Sequence, residues 1–201
     1  MSQVLEVKNL SVSFDTPQGE VQAVRDVSFT LQSGEVLAVV GESGCGKSAL
    51  CKAVMRLLPA SARIRSGSIW ACGVNITDCR EREMHRLRGK LFSMVFQDPM
   101  TSLNPAMSVG EQIAEAVKVH HPKITGKALH DRVLELMKLV EIDRAEERMK
   151  LYPHHFSGGM RQRSVMAIAL AGNPSILFAD EPTTALDVTI QAQILGLFRK
   201  I

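Results

Sequence analysis

The sequence predicts an α/β core that carries a helical insert. Three observations lead there: a period-2 N-terminal stretch, short near-continuous apolar runs that each lead toward a helix, and a central block with 3.6-residue periodicity. In the first stretch Val4, Leu5, Val7, Leu10, Val12 and Phe14 are answered by Val21, Ala23, Val27, Phe29 and Leu31, with "TPQGE" between them. That pattern predicts an antiparallel strand pair. "EVLAVV" (35–40) is apolar almost throughout, which predicts a strand covered on both faces, followed by "GESGCGKS" and the helix "ALCKAVMRLL". "GSIWACG", "LFSMVF" (91–96) and "SILFAD" (175–180) read as further short strands. Between them "VGEQIAEAVKV" and "ALHDRVLELMKLV" are amphipathic helices joined by the loop "HHPKITG". "RSVMAIALAG" and "TIQAQILGLFRK" complete the helices. The expected division is an α/β core of 1–97 and 165–201 around a helical subdomain of 98–164.

Composition removes several classes of function. A chain of 201 residues can bury one substantial core, and with 45% hydrophobic but only 4% aromatic residues that core is aliphatic. The net charge of +3 is small, and Arg80, Arg82, Arg86 and Arg88 alternate with Glu81 and Glu83, so the sequence predicts a solvated helix face and no nucleic-acid partner. The longest small-apolar run, 164–172, is far short of the ~20 residues a membrane-spanning helix needs. "MSQVLEVKNL" lacks the pattern of a signal peptide. Cys45, Cys51, Cys72 and Cys79 have no zinc-type spacing, so the expectation is a soluble cytoplasmic chain with reduced thiols.

"GESGCGKS" matches G-x-x-x-x-G-K-[ST] through Gly41, Gly46, Lys47 and Ser48, with Glu42, Ser43, Gly44 and Cys45 as the intervening positions. Glycines let the backbone curl so that successive N–H groups point at one phosphate; Lys47 reaches the β/γ oxygens and the Ser48 hydroxyl ligates Mg²⁺. The plainer alternative is an ordinary glycine-rich βα turn. Cys45 lies inside this loop, where backbone N–H groups and Lys47 favour its thiolate. "ILFADE" presents Asp180 and Glu181 at the end of a buried strand, where open α/β sheets bind ligands. Asp180 suits the magnesium and Glu181 suits a general base toward the attacking water, although a helix cap would explain two such acids equally well. Gln97 ends another strand as a metal- or water-positioning amide, or simply as a strand-terminating polar residue. "HHFSGGMRQRS" sets Ser157, Gly158 and Gly159 ahead of a helix, a second place where bare N–H groups attract phosphate.

Together these motifs resemble the ATP-binding subunits of ABC transporters, in order and spacing over essentially the whole chain. "VFQDPMTSLNP", "YPHHFSGGMRQR" and "ADEPTTALDVTIQAQIL" are similar to the oligopeptide, dipeptide and nickel importer ATPases in particular. The general signature Leu-Ser-Gly-Gly-Gln is here Phe156-Ser157-Gly158-Gly159-Met160, a departure shared with that subgroup. The resemblance implies a P-loop NTPase fold with an antiparallel β-subdomain, ATP and Mg²⁺ as ligands, and Mg²⁺ held by Ser48, Gln97 and Asp180. It implies that Phe14 stacks on adenine, though a core Phe in a sheet fits the spacing too. It further implies that Ser157 to Met160 and Asp187 act in trans, on nucleotide held by a second ATP-binding subunit in a homo- or heterodimer. Gln97 and the helices after it would meet the coupling helix of a membrane permease subunit. The whole would lie at the cytoplasmic face of the membrane and depend indirectly on an external solute-binding protein.

One family feature is not met. A switch histidine is expected beyond the "TALD" helix, yet all six histidines precede Asp187 and the chain ends at "GLFRKI". The expectation is therefore a C-terminally truncated member whose ATP binding survives better than its turnover. ABC ATPases of DNA repair would carry long heptad arms or zinc modules after Gln97, which are absent here. A small-molecule kinase would share the phosphate loop but give no reason for "SGGMRQR". His120-His121 and His154-His155 are adjacent pairs without metal-ligand spacing and read as loop residues, while Met94, Met100 and Met137 read as core filler.

Overall fold

A computed structural model describes residues 2–96, 99–183 and 187–201, without the side chains of 99 and 100. The chain divides into two units, Met1–Phe92 and Ser93–Ile201.

The first unit is built on an antiparallel sheet in the order β2-β1-β3-β4, from β1 (Gln3–Thr16), β2 (Gly19–Gln32), β3 (Ala62–Ala71) and β4 (Val74–Asn75). The expected N-terminal pair is therefore present, turning between Thr16 and Gly19. The apolar positions of β1 switch from odd (Leu5, Val7) to even (Leu10, Val12), and the ladder to β2 shifts register between Val7 and Leu10. A β-bulge changes which face each later side chain takes, so both sets stay in the core. Asn9 supplies the bulge at φ 48°, and its amide donates to the Asp26 carboxylate at 2.8 Å. Helix α1 (Lys47–Val54) packs Leu50, Ala53 and Val54 inward, and α2 (Glu81–Leu87) buries Met84.

Residues 35–40 correct one expectation. They form no strand, and Val36 and Val40 are 65% and 87% exposed. A strand exists only when a neighbour completes its hydrogen bonds, and no described strand pairs with this run.

β5 (Phe92–Val95), whose residues from Ser93 on begin the second unit, pairs with β6 (Ile176–Ala179). The helices of this unit are α3 (Pro99–Ser102), α4 (Val109–His120), α5 (Gly126–Leu139), α6 (Ala145–Arg148), α7 (Gly158–Leu170) and α8 (Val188–Lys200). Both central amphipathic helices form as the periodicity predicts. Ser108 starts α4 with a capping box: its hydroxyl accepts from Glu111 N–H, and its own N–H donates to the Glu111 carboxylate at 2.8 Å. The Ser108 hydroxyl also donates to that carboxylate at 2.7 Å, and this bond, followed by the one from Ser108 N–H, holds the Glu111 carboxyl below its ordinary pKa. Ile113, Val117, Val133, Leu136, Met137, Met166, Ile194 and Leu197 form a buried hydrophobic core. Met94 is also buried, so two of the three singled-out methionines fill cores, while the side chain of Met100 lies outside the described residues.

Candidate functional site

In the first unit the glycine-rich loop that begins at Gly41 runs directly into α1, so Lys47 and Ser48 occupy the helix's first turn. Gly46 precedes it at φ 99°, and a Cβ there would lie 2.3 Å from the Ala23 carbonyl oxygen. Only glycine lets the loop close on β2 in this way. Lys47 folds back over the loop: its ammonium donates to the carbonyls of Gly41 (2.9 Å) and Glu42 (2.7 Å), with the Cys45 sulfur at 3.9 Å. A cation resting on its own loop's carbonyls is available to exchange them for phosphate oxygens, which is the chemistry the loop sequence requires. Residues 41–45 are exposed, while Gly46, Lys47 and Ser48 are half-buried. Phe14 is half-buried on β1, two residues past Val12; Val12 pairs with Val24, whose side chain borders Gly46.

Because the Cys45 thiol is exposed within this loop, a thiol reagent is expected to block nucleotide binding, and bound ATP to slow the labelling. Mass-spectrometric labelling rates check this. Equal rates with and without ATP would refute a phosphate site at Gly41 to Ser48.

In the second unit the β5–β6 ladder extends one step past β6, where Asp180 N–H donates to Val95 O at 3.0 Å. That bond fixes the backbone under the two acids. Asp180 is half-buried and Glu181 is exposed, and Glu181 has a left-handed φ of 46°. Positive φ at a residue with a long side chain stores strain, and such strain concentrates at functional positions. Gln97 and the "TAL" of "TALD" (184–186) lie outside the described residues.

Ser157 caps α7, its hydroxyl accepting from Met160 N–H at 3.4 Å, and both Ser157 and Gly158 are exposed. Phe156 is buried and anchors the approach, while Met160 packs half-buried on the core. Asp187 caps α8 by accepting from Ile190 N–H at 3.0 Å. The two capped helices meet where Gly159 lies against Ile190: a Cβ on Gly159 would approach that side chain to 2.7 Å. The structure thus joins Ser157 to Asp187 through one close helix contact. The second signature glycine is a packing residue as well as a small one.

Sequence reading missed Arg163. Its guanidinium, in a residue only 9% exposed, donates to Val140 O at 2.9 Å, the Glu141 carboxylate at 3.2 Å and the Gln193 side chain at 3.2 Å. Lys200 holds the other oxygen of Glu141, and hydrogen bonds from Lys200 and then Arg163 lower the Glu141 pKa. The available signal was an arginine just before the apolar run 165–170 of α7. The histidine pairs depart from the loop expectation: His120 ends α4 with His121 capping it, and His154 and His155 lie in a short 3-10 turn, Pro153–His155, where His154 stacks on Tyr152 with ring centroids 5.8 Å apart. The described residues contain no cluster of three or more metal-ligating side chains, and none of their helices is long and apolar enough to cross a membrane.

A family model described as "ABC transporter" matches residues 24–184. The dipeptide transport ATP-binding protein of Bacillus subtilis (strain 168) is 54% identical over 202 residues, covering all of this chain and 60% of that protein. The oligopeptide transport ATP-binding protein of the same organism is also 54% identical over 202 residues, covering 100% of this chain and 56% of its own length. The chain thus spans less than two thirds of these relatives. Among solved structures, a dimeric post-hydrolysis state of an ATP-binding cassette bound to ADP and Pi superposes with a TM-score of 0.82 at 26% identity, covering 96% of this chain and 81% of that one. The α/β P-loop architecture implied by the motifs is therefore shared with a cassette of known structure. Phosphate loop, capped signature helix and strand-end acids occur here in one chain, and on that agreement of motif, fold and sequence it belongs to the ABC transporter family.

Proposed function

We propose that this chain is the nucleotide-binding portion of a subunit that binds and hydrolyses ATP to drive import of oligopeptides or dipeptides. The observation that carries the reading is Lys47 poised over the loop 41–48, at the start of α1. In this reading the loop's N–H groups and Lys47 hold the β- and γ-phosphates, and Phe14 stacks on the base. Ser48, Gln97 and Asp180 would hold Mg²⁺, which when bound neutralises phosphate charge. Glu181 takes the proton of the attacking water, and its exposed carboxylate on a strained backbone suits that role.

Ser157, Gly158, Gly159, Met160 and Asp187 serve a partner's nucleotide, so two cassettes close over two ATP molecules. That the solved relative is dimeric supports this. Closure is a population shift, driven by contacts that only the γ-phosphate supplies. The division into a core of 1–97 and 165–201 with a helical subdomain of 98–164 goes with this reading. An open groove of about 480 Å³ beside α4 and α5, lined by Ser108, Glu111, Leu129, His130 and Tyr152, offers a surface to a permease subunit at the cytoplasmic face. Peptides as cargo rest on the relatives' names. Cargo selection falls to the permease and an external solute-binding protein.

Steady-state ATP hydrolysis measured beside nucleotide affinity tests the proposal. Binding with turnover supports it, and tight binding without any turnover by the full-length subunit would reduce the protein to a nucleotide-binding module. Ser157→Arg tests the action in trans. Monomer ATP affinity is expected to stay within about twofold, while ATP-dependent dimerisation weakens at least ~tenfold, since burying one unpaired charge costs well over 1.4 kcal/mol. Sedimentation with and without ATP reads the outcome, and lost monomer binding would overturn the trans assignment.

A further inference from the structure

Helix α1 is two turns long and carries Lys47 and Ser48 in its first turn, so the direction of its axis decides where both groups lie. Its N-terminal end is set by Gly46 against Ala23. Its C-terminal end is held less conventionally. The chain leaves α1 at Arg56 with a left-handed φ of 54°, where glycine is the usual residue, and Leu57 N–H returns to Lys52 O at 2.8 Å. Arg88, the residue after α2, reaches this end. Its Nε donates to Met55 O at 3.1 Å and one terminal nitrogen donates to Arg56 O at 2.8 Å. Its outer edge pairs with both oxygens of Glu81, and the side chain is only 21% exposed. Arg56 in turn donates to Thr77 O. Sequence pattern placed Arg88 on a solvated charged face, but it turns inward onto the C-cap carbonyl of α1 at Met55 and the next carbonyl at Arg56, where the negative end of the helix dipole also favours a cation.

We propose that Arg88 is a positioning residue for phosphate binding: its planar fork clamps the Met55 and Arg56 carbonyls, where the chain leaves α1, and thereby aims Lys47 and Ser48 from the other end. The fork matters as well as the charge, because a lysine ammonium cannot span two carbonyls with the same fixed geometry. This rests on reading Gly41 to Ser48 as the nucleotide site.

The test uses the full-length subunit, with ATP and inorganic tripolyphosphate as probes in equilibrium binding, well below the melting temperature of each variant. Arg88→Ala is expected to raise both dissociation constants about tenfold, by the same factor, and Arg88→Lys to raise both about threefold. Exposed Arg82→Ala serves as the charge control and changes neither. A purely structural role would lower the melting temperature yet leave the affinity of the folded protein intact, and that result overturns the proposal. So does a loss for ATP that tripolyphosphate does not share. If Arg88→Ala fails to fold, Arg88→Lys decides, and wild-type affinity in that variant overturns the proposal. Lys47→Ala separates the two levels. If it leaves tripolyphosphate binding unchanged the phosphate site itself is wrong, whereas its loss beside an unaffected Arg88→Ala rejects only the clamp.

Discussion

Glu181→Gln in the full-length subunit is expected to lower steady-state ATP hydrolysis by about 10²–10⁴-fold, the usual contribution of a general base, while nucleotide affinity stays within about twofold. The substitution keeps size and hydrogen-bonding reach but removes the ability to accept a proton. It also keeps the backbone problem, since glutamine at φ 46° is strained as glutamate is. Glu181→Gly makes the informative contrast. It relieves a left-handed conformation that costs ~1–2 kcal/mol and should raise thermal stability, yet it should be as inactive as the glutamine variant. Stability that rises while activity vanishes would identify the strain at Glu181 as retained for function. Unchanged hydrolysis in Glu181→Gln would remove Glu181 from the chemistry.

Gly46→Ala is expected to weaken ATP binding by about a hundredfold or more, in isothermal titration with the full-length subunit. Two separate costs combine. The left-handed backbone penalises any side chain by ~1–2 kcal/mol. The added Cβ, 2.3 Å from the Ala23 carbonyl oxygen, would also force the loop off β2. Lost alignment of the loop's N–H groups and Lys47 then appears as affinity, at 1.4 kcal/mol per tenfold. Gly44→Ala is the useful comparison: φ there is 80°, but nothing lies within 4 Å of the new Cβ. It should cost less than Gly46→Ala, and equal losses would show that the contact with Ala23 contributes nothing.

The elements most legible in the sequence were those that satisfy themselves locally. Helices α4 and α5 followed from periodicity, and the structure adds the Ser108–Glu111 capping box that starts α4. The β1–β2 hairpin followed from alternation and a short turn, whereas the bulge at Asn9 emerged only in the structure. The candidate site was legible as motifs, because phosphate binding demands particular residue types at fixed spacing. The run 35–40 misled because an apolar stretch records a capacity to be buried, while a strand needs a partner that the stretch itself does not encode.

By itself the sequence determined the glycine-rich turn into α1, the acids that follow β6, the helix that follows Ser157 and the alternation of a β-rich segment with a helical block. Each depends on residues within a few positions of one another, where sterics and local hydrogen bonding act without the rest of the fold. Only the tertiary structure decided that Gly159 is needed for the contact with Ile190, that Arg163 joins α7 to Glu141 and Gln193, and that Arg88 closes the end of α1. Those roles depend on groups 22 to 33 positions apart in the chain. A buried charge or a missing side chain acquires its meaning from the surface that packs against it, and that surface exists only once the chain has folded.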